Sequence, residues 1–422
     1  MKSLLKVMTG AMATVLLATG CAVPAVKAPA EDEEPKEIPF KYEDVAGTEL
    51  TNEDYLISEY NRYAFELMSN VASGAGAENV MVSPTSVMMA MDVVAAGANG
   101  STLEQLTDLF AEGEDPLVQQ AFAANLMDRI NNSQDVEFAC ANAIWNNTLV
   151  LGDRMNSSYI DYVSEVFRAE AREEAFDDET KDRINEWISD NTDGMIEDMI
   201  KSLPSSTAMV VANAIAFDAE WDAAFNESYP GVFTDYSGES IEVTMLEDRM
   251  QSYYETEDAI GFAKLYEGGE YAFVAILPKD TEISANEFLA GFTGSDFEEF
   301  MNSETEEQVT VRMPEFEYDY SLQLKPVLID MGAEVPFDPD EADFSRIADP
   351  SDLYIDQVIH NTHISVTEEG TRAAAATAIV LTDGACMIEQ TKEINCDRPF
   401  AYVIIETSTN MPVFAGTVNS IG

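Results

Sequence analysis

Two rhythms of apolar residues run along the chain. Across 52–71 the buried-type positions are Leu56, Tyr60, Tyr63, Ala64, Leu67 and Val71, the spacing of a helix with one covered face, and Asn52 stands where a cap is needed. The same spacing predicts helices from Ser83-Pro84 through Met88-Met89-Ala90-Met91 to Ala96, and over 101–109, 118–130 and 181–200. The methionine stripe reads as core packing. Further on the rhythm changes. Residues 209–217 are almost unbroken apolar, interrupted by Asn213, which is the pattern of a strand covered on both faces. Strands are predicted also over 272–278, 308–318, 354–367, 399–407 and 411–418, the last two joined as a hairpin across 408–410. Helices crowd the first half and strands the second, which favours an α+β class over alternating βαβ units.

The start of the chain follows neither rhythm. Met1-Lys2-Ser3-Leu4-Leu5-Lys6, an apolar stretch over 7–17 and Ala18-Thr19-Gly20-Cys21 predict an export signal over 1–20, too short for a membrane span. The small pair before Cys21 resembles the lipobox of bacterial lipoproteins, which implies acylation of Cys21 and a lipid anchor on a bacterial surface. Ala18 stands where leucine is usual, so an ordinary secretory signal is the alternative. Residues 21–44, with Glu31-Asp32-Glu33-Glu34-Pro35, read as a solvated acidic tether. No composition break or repeat follows, so 45–422 is expected to be one large domain and a monomer.

Charge narrows the partners. The 422 residues carry 79 acidic and 22 basic side chains, a formal charge of −57, beside a hydrophobic content of 46%. Nucleic acid and anionic headgroups are excluded as partners, because binding them rests on Lys and Arg displacing counterions. Heparin-like chains are disfavoured for the same reason. Disorder is not implied, since the apolar content suffices for a core.

Enzyme chemistry finds little to work with. There is no GxSxG elbow, Walker loop or GxGxxG turn, and no CxxC or Cys/His cluster to hold a metal, so neither an enzyme nor a cofactor is expected. The two histidines, His360 and His363, lie in a strand pattern that points them to opposite faces. With Cys21 acylated, Cys140, Cys386 and Cys396 remain, so at least one thiol is free or pairs outside the chain. A Cys386–Cys396 pair would tie the segment between them.

One segment does carry a signal. Glu368-Glu369-Gly370-Thr371-Arg372-Ala373-Ala374-Ala375-Ala376-Thr377 is followed by the strand-prone Ile379-Val380-Leu381-Thr382. The alanines favour a helix, Gly370 interrupts one, and small residues enter a packed sheet at little steric cost. The segment suits an exposed loop in one state and a strand in another.

This segment resembles the hinge of the serpins, the serine protease inhibitor family. The likeness spans nearly the whole mature chain: Asn79-Val80-Met81-Val82-Ser83-Pro84-Thr85-Ser86, Gly97-Ala98-Asn99-Gly100-Ser101-Thr102, Asn213-Ala214-Ile215-Ala216-Phe217 with Trp221 and Phe225, Met313-Pro314-Glu315-Phe316, Ala342-Asp343-Phe344-Ser345 and Arg398-Pro399-Phe400, in order. It implies three β-sheets, eight or nine helices, and a reactive-centre loop over about 368–394 that acts as bait. A protease that cleaves such a loop is carried off as an acyl-enzyme while the loop enters the large sheet as a new strand.

On insertion one face of that strand carries Thr371, Ala373, Ala375, Thr377, Ile379 and Leu381, all small or apolar. Arg372, where glutamate is usual, falls on the opposite set with Ala374, Ala376, Ala378 and Val380. This favours inhibition over the alternative, a non-inhibitory serpin-fold lipoprotein that binds a ligand or partner. A surface hydrolase ranks third. Family spacing from Glu368 places the scissile bond at Gly384-Ala385, whereas counting back from Arg398 points nearer 388, so Ala385-Cys386 and Cys386-Met387 stay open. Every residue of 384–387 is uncharged and small or medium, which suits the shallow pocket of elastase-like serine proteases. The resemblance further implies a polar shutter of Ser83, Ser86, Asn213 and His360 beneath the sheet, and places Trp221 at the breach where the loop enters.

Overall fold

A computed structural model describes residues 41–133, 136–152, 154–192, 194, 200–348, 353–371 and 391–422, with backbone alone for 42–43, 137–141 and 213–216. The chain divides into two units, Met1–Glu34 and Pro35–Gly422. The signal, Cys21 and most of the tether lie outside the described residues. So do Arg372 to Thr377, Gly384, Ala385, Cys386, Met387 and the rest of 372–390.

Ten α-helices occur among the described residues: α1 (Tyr42–Ala46), α2 (Glu53–Gly74), α3 (Pro84–Ala95), α4 (Gly100–Asp108), α5 (Pro116–Asn131), α6 (Ser157–Phe167), α7 (Asp178–Asn191), α8 (Ala285–Ala290), α9 (Gly294–Asn302) and α10 (Lys325–Asp330). The excess over eight or nine comes from single-turn pieces such as α1 and α8, too short to leave an apolar period in sequence. The α1 turn also crosses the expected boundary between tether and domain at residue 44.

Three sheets form the rest. The first, large sheet runs β11 (Phe316–Gln323), β12 (Ile359–Val366), β13 (Gly370–Thr371), β4 (Met209–Glu220), β2 (Glu137–Asn147), β3 (Glu170–Glu174). The second runs β1 (Met81–Val82), β16 (Met411–Val418), β15 (Phe400–Glu406), β9 (Tyr271–Pro278), β8 (Ala259–Leu265), β7 (Tyr254–Glu255). The third runs β14 (Lys392–Asn395), β10 (Val309–Pro314), β6 (Ser240–Met250), β5 (Glu227–Thr234). In β9 and β16 every residue is buried, which is why both read as continuous apolar runs.

Three boundaries differ from the sequence expectation, each for a local reason. The run 308–318 splits at Pro314, which has no N–H to donate, and Glu315 turns aside to bond Thr244 so that the chain passes from the third sheet to the first. Helix α7 ends at Asn191, nine residues early, because Gly194 at φ 74° closes the turn with its N–H on Ser189. Residues 354–358 stay outside β12, with Ile355 bonding Pro336 and Val358 bonding Gln323 instead of a ladder. The hairpin across 408–410 forms, with Asn410 at φ 57° supplying the turn.

Candidate functional site

The site lies where β12, β13 and β4 meet. Strand β13 pairs antiparallel with β4 through Gly370↔Glu220 and Thr371↔Ala219, and with β12 through Val366↔Thr371. Residues 367–370 form the tight turn between them, Thr367 N–H donating to Gly370 O at 2.8 Å. Gly370 is required here by space. A Cβ would stand 2.3 Å from the Ala219 carbonyl oxygen and 2.8 Å from Glu220 Cα. Thr371 is 2% exposed, and its hydroxyl shares a 2.7 Å hydrogen bond with the Tyr266 hydroxyl. A buried hydroxyl without such a partner is costly, so the threonine is seated by chemistry as well as by size.

A clamp from 221–225 holds the turn. Trp221 N–H donates to Glu369 O at 2.9 Å, its indole Nε1–H to Thr367 O at 3.0 Å, and Phe225 N–H to Glu368 O at 3.0 Å. Three successive carbonyls thus find donors on one short segment. The Trp221 ring is stacked on Tyr266, centroids 4.5 Å apart, and meets Phe225 and Phe273 edge-on. The Glu368 carboxylate accepts from Ser228 Oγ at 2.7 Å.

Below the turn, His360 is 5% exposed and its Nε2 accepts from Ser83 N–H at 3.0 Å, so the neutral ring carries its proton on Nδ1. Burial pulls its pKa down to about 4. Ser83 Oγ donates to Val413 O at 2.8 Å and accepts from Ser86 N–H at 3.2 Å, while Pro84 fills the first helical position. The Ser83-Pro84 step therefore both starts α3 and ties it to β12 and β16. Ser86 is buried beside it. Asn213 is present by its backbone, paired with Asn142 of β2, and its side chain lies outside the described set. His363 faces the other way, its Nδ1 2.7 Å from Asp319 Oδ1.

Beneath His360 opens a cavity of about 320 Å³ between the lower ends of β4 and β12, lined among others by Met209, Val211, Ile355, Val358, Ile359 and His360. Cys396 is free and fully buried at the end of β14, and burial pushes its thiol up to about 12. Cys386, its possible partner, lies outside the described residues. Tyr266, Lys264 and Asp248 took no part in the sequence reading. Lys264 reaches the site from β8, Tyr266 from the position just after it and Asp248 from β6, and the one hint of them in sequence is a lysine set among the apolar residues of β8.

A family model described as serpin (serine protease inhibitor) matches residues 58–421. The chain is a serpin. An uncharacterized serpin-like protein of Methanosarcina acetivorans is 31% identical over 380 residues, covering 86% of this serpin and 88% of the relative. Among solved structures, the thermophilic serpin tengpin in its native state superposes with TM-score 0.81 at 32% identity, over 89% of this chain and 96% of that one. Its latent state gives 0.77 at 30%, over 89% and 100%.

Proposed function

We propose that this serpin is an inhibitor of elastase-like serine proteases that works by loop insertion, exported and anchored by a lipid on Cys21 at a bacterial surface. The observation that carries the reading is the register at β13. The ladders Thr371↔Ala219 and Val366↔Thr371, continued downward residue by residue, bring Thr377 level with Asn213 on one side and His360 on the other. Two steps further, Ile379 comes level with Val211, and Leu381 with Met209, both lining the cavity. A small hydroxyl would thus stand beside His360, and branched apolar side chains beside Val211 and Met209. No residue destined for the inner face of 371–381 is charged or bulky enough to stop the strand.

The protease serine attacks the carbonyl of the scissile bond, the new amine leaves, and the ester formed is carried away with the strand before water reaches it. The uncharged residues 384–387 support an elastase-like pocket, and the charge of −57 supports a basic target approached by electrostatic steering. Incubation of the mature protein with an elastase, followed by a denaturing gel, tests the reading. A covalent high-mass band is expected; clean cleavage with no complex refutes it. Thr371→Arg should turn the inhibitor into a substrate, since a guanidinium cannot occupy the site beside Tyr266 unpaired. The anchor is tested separately: Cys21→Ser should release the protein from the membrane fraction, and a variant that stays bound removes the lipid from the account.

A further inference from the structure

A buried charge pair lies under the hinge clamp. Lys264 on β8 is 6% exposed, and its Nζ donates to Asp248 Oδ2 on β6 at 2.7 Å. Asp248 is fully engaged, accepting also from the Asn226 amide and from Arg249 N–H. The ammonium lies 4.3 Å from the ring centre of Phe225 and 5.8 Å from that of Trp221. These are the two residues whose N–H groups hold the hinge carbonyls.

A buried ion pair is poor evidence for stability, because apolar residues of equal volume serve as well or better. Its strength lies in fixing geometry. Here it joins the second sheet to the third at the point where 221–225 leaves β4 of the first. Desolvation draws the Lys264 pKa down, and the Asp248 carboxylate, with Asp222 nearby, opposes that shift and favours the cation.

We propose that Lys264 and Asp248 form a latch that presses the 221–225 clamp onto the hinge, keeping Gly370-Thr371 seated at the top of the large sheet and thereby setting how readily the loop strand enters. Both are positioning residues. The inference rests on the loop-insertion reading above. With the latch removed, the aromatic pair loses its shared cation, the three donors drift from carbonyls 367–369, and the first ladder rungs open.

The test uses two rates that move in opposite directions. In the variant Lys264→Met/Asp248→Asn, which leaves no lone buried charge, a synthetic peptide of residues 371–382 should anneal into the uncleaved full-length protein at least tenfold faster. After limited proteolysis within the loop, self-insertion, read as the gain in thermal midpoint, should be at least tenfold slower. Phe225→Leu, which keeps the pair and removes the ring it faces, should shift both rates in the same senses. Rates equal to wild type, or both rates rising together as from general loosening, overturn the latch while the insertion reading stands. If the nicked wild-type protein gains no heat stability, the insertion reading itself falls and the latch with it.

Discussion

Lowering the pH from 7 to 5 should destabilise this serpin through one ring. His360 is held neutral by burial, its pKa drawn from 6.5 to about 4. The unfolded chain therefore takes up this proton first, so stability is lost as pH falls from about 6.5 to about 4 and no further below. The whole shift corresponds to about 3 kcal/mol, and the part falling between pH 7 and pH 5 to about 2 kcal/mol. Acid also neutralises carboxylates on a chain of formal charge −57, which relieves self-repulsion and acts in the opposite direction. The measurement must isolate the ring. His360→Gln keeps an acceptor for Ser83 N–H and does not titrate. Thermal midpoints of both proteins at pH 7, 6 and 5, at one scan rate, give the difference. With an unfolding entropy of about 2 cal/mol/K per residue, wild type should lose about 2 °C more than the variant over this range. His363 is common to both proteins and cancels. Parallel midpoint curves for the two proteins would refute the assignment of a neutral, buried His360.

Other consequences are open to direct measurement. Gly370→Ala places a methyl against the Ala219 carbonyl and should cost about 2 kcal/mol at the hinge, seen as faster proteolysis near 370 with the far-UV spectrum unchanged. Asp92, fully buried with Gln119 and Gln120 as its polar neighbours, has its pKa raised by desolvation. The native state is then penalised as pH climbs from the ordinary carboxyl range through that raised value, so Asp92→Asn should raise the thermal midpoint at pH 8 and leave it unchanged at pH 3. Association with a basic target protease should slow several-fold between 0.05 M and 0.5 M salt, whereas a neutral target should show no such dependence.

Much of the body was legible in the chain. The periods of α2, α3 and α5 and the apolar runs of β4, β9, β15 and β16 follow from which faces are buried, and burial leaves its period in sequence. Strand β2 went unseen because the buried Asn142 and Asn146 interrupt its apolar face, and β5 because Pro230 and Gly231 break a largely exposed strand, whereas β6 does leave a period, Ile241, Val243 and Met245 alternating with Glu242 and Thr244. The hinge segment was visible because its run of small side chains stands out in the sequence, and Ser83 with His360 because the motifs around them are local. What holds the hinge was not visible. Tyr266 is 105 residues from Thr371, Trp221 is 146 from Thr367, and Lys264 is 16 from Asp248 on another sheet. No local period or spacing encodes such meetings. By itself the sequence determined an α+β body and a run of small residues that opens at Gly370; only the packing of three sheets decided which aromatic rings, hydroxyls and charges hold Gly370 and Thr371 in place, because buried polar groups must find partners wherever the fold happens to bring them.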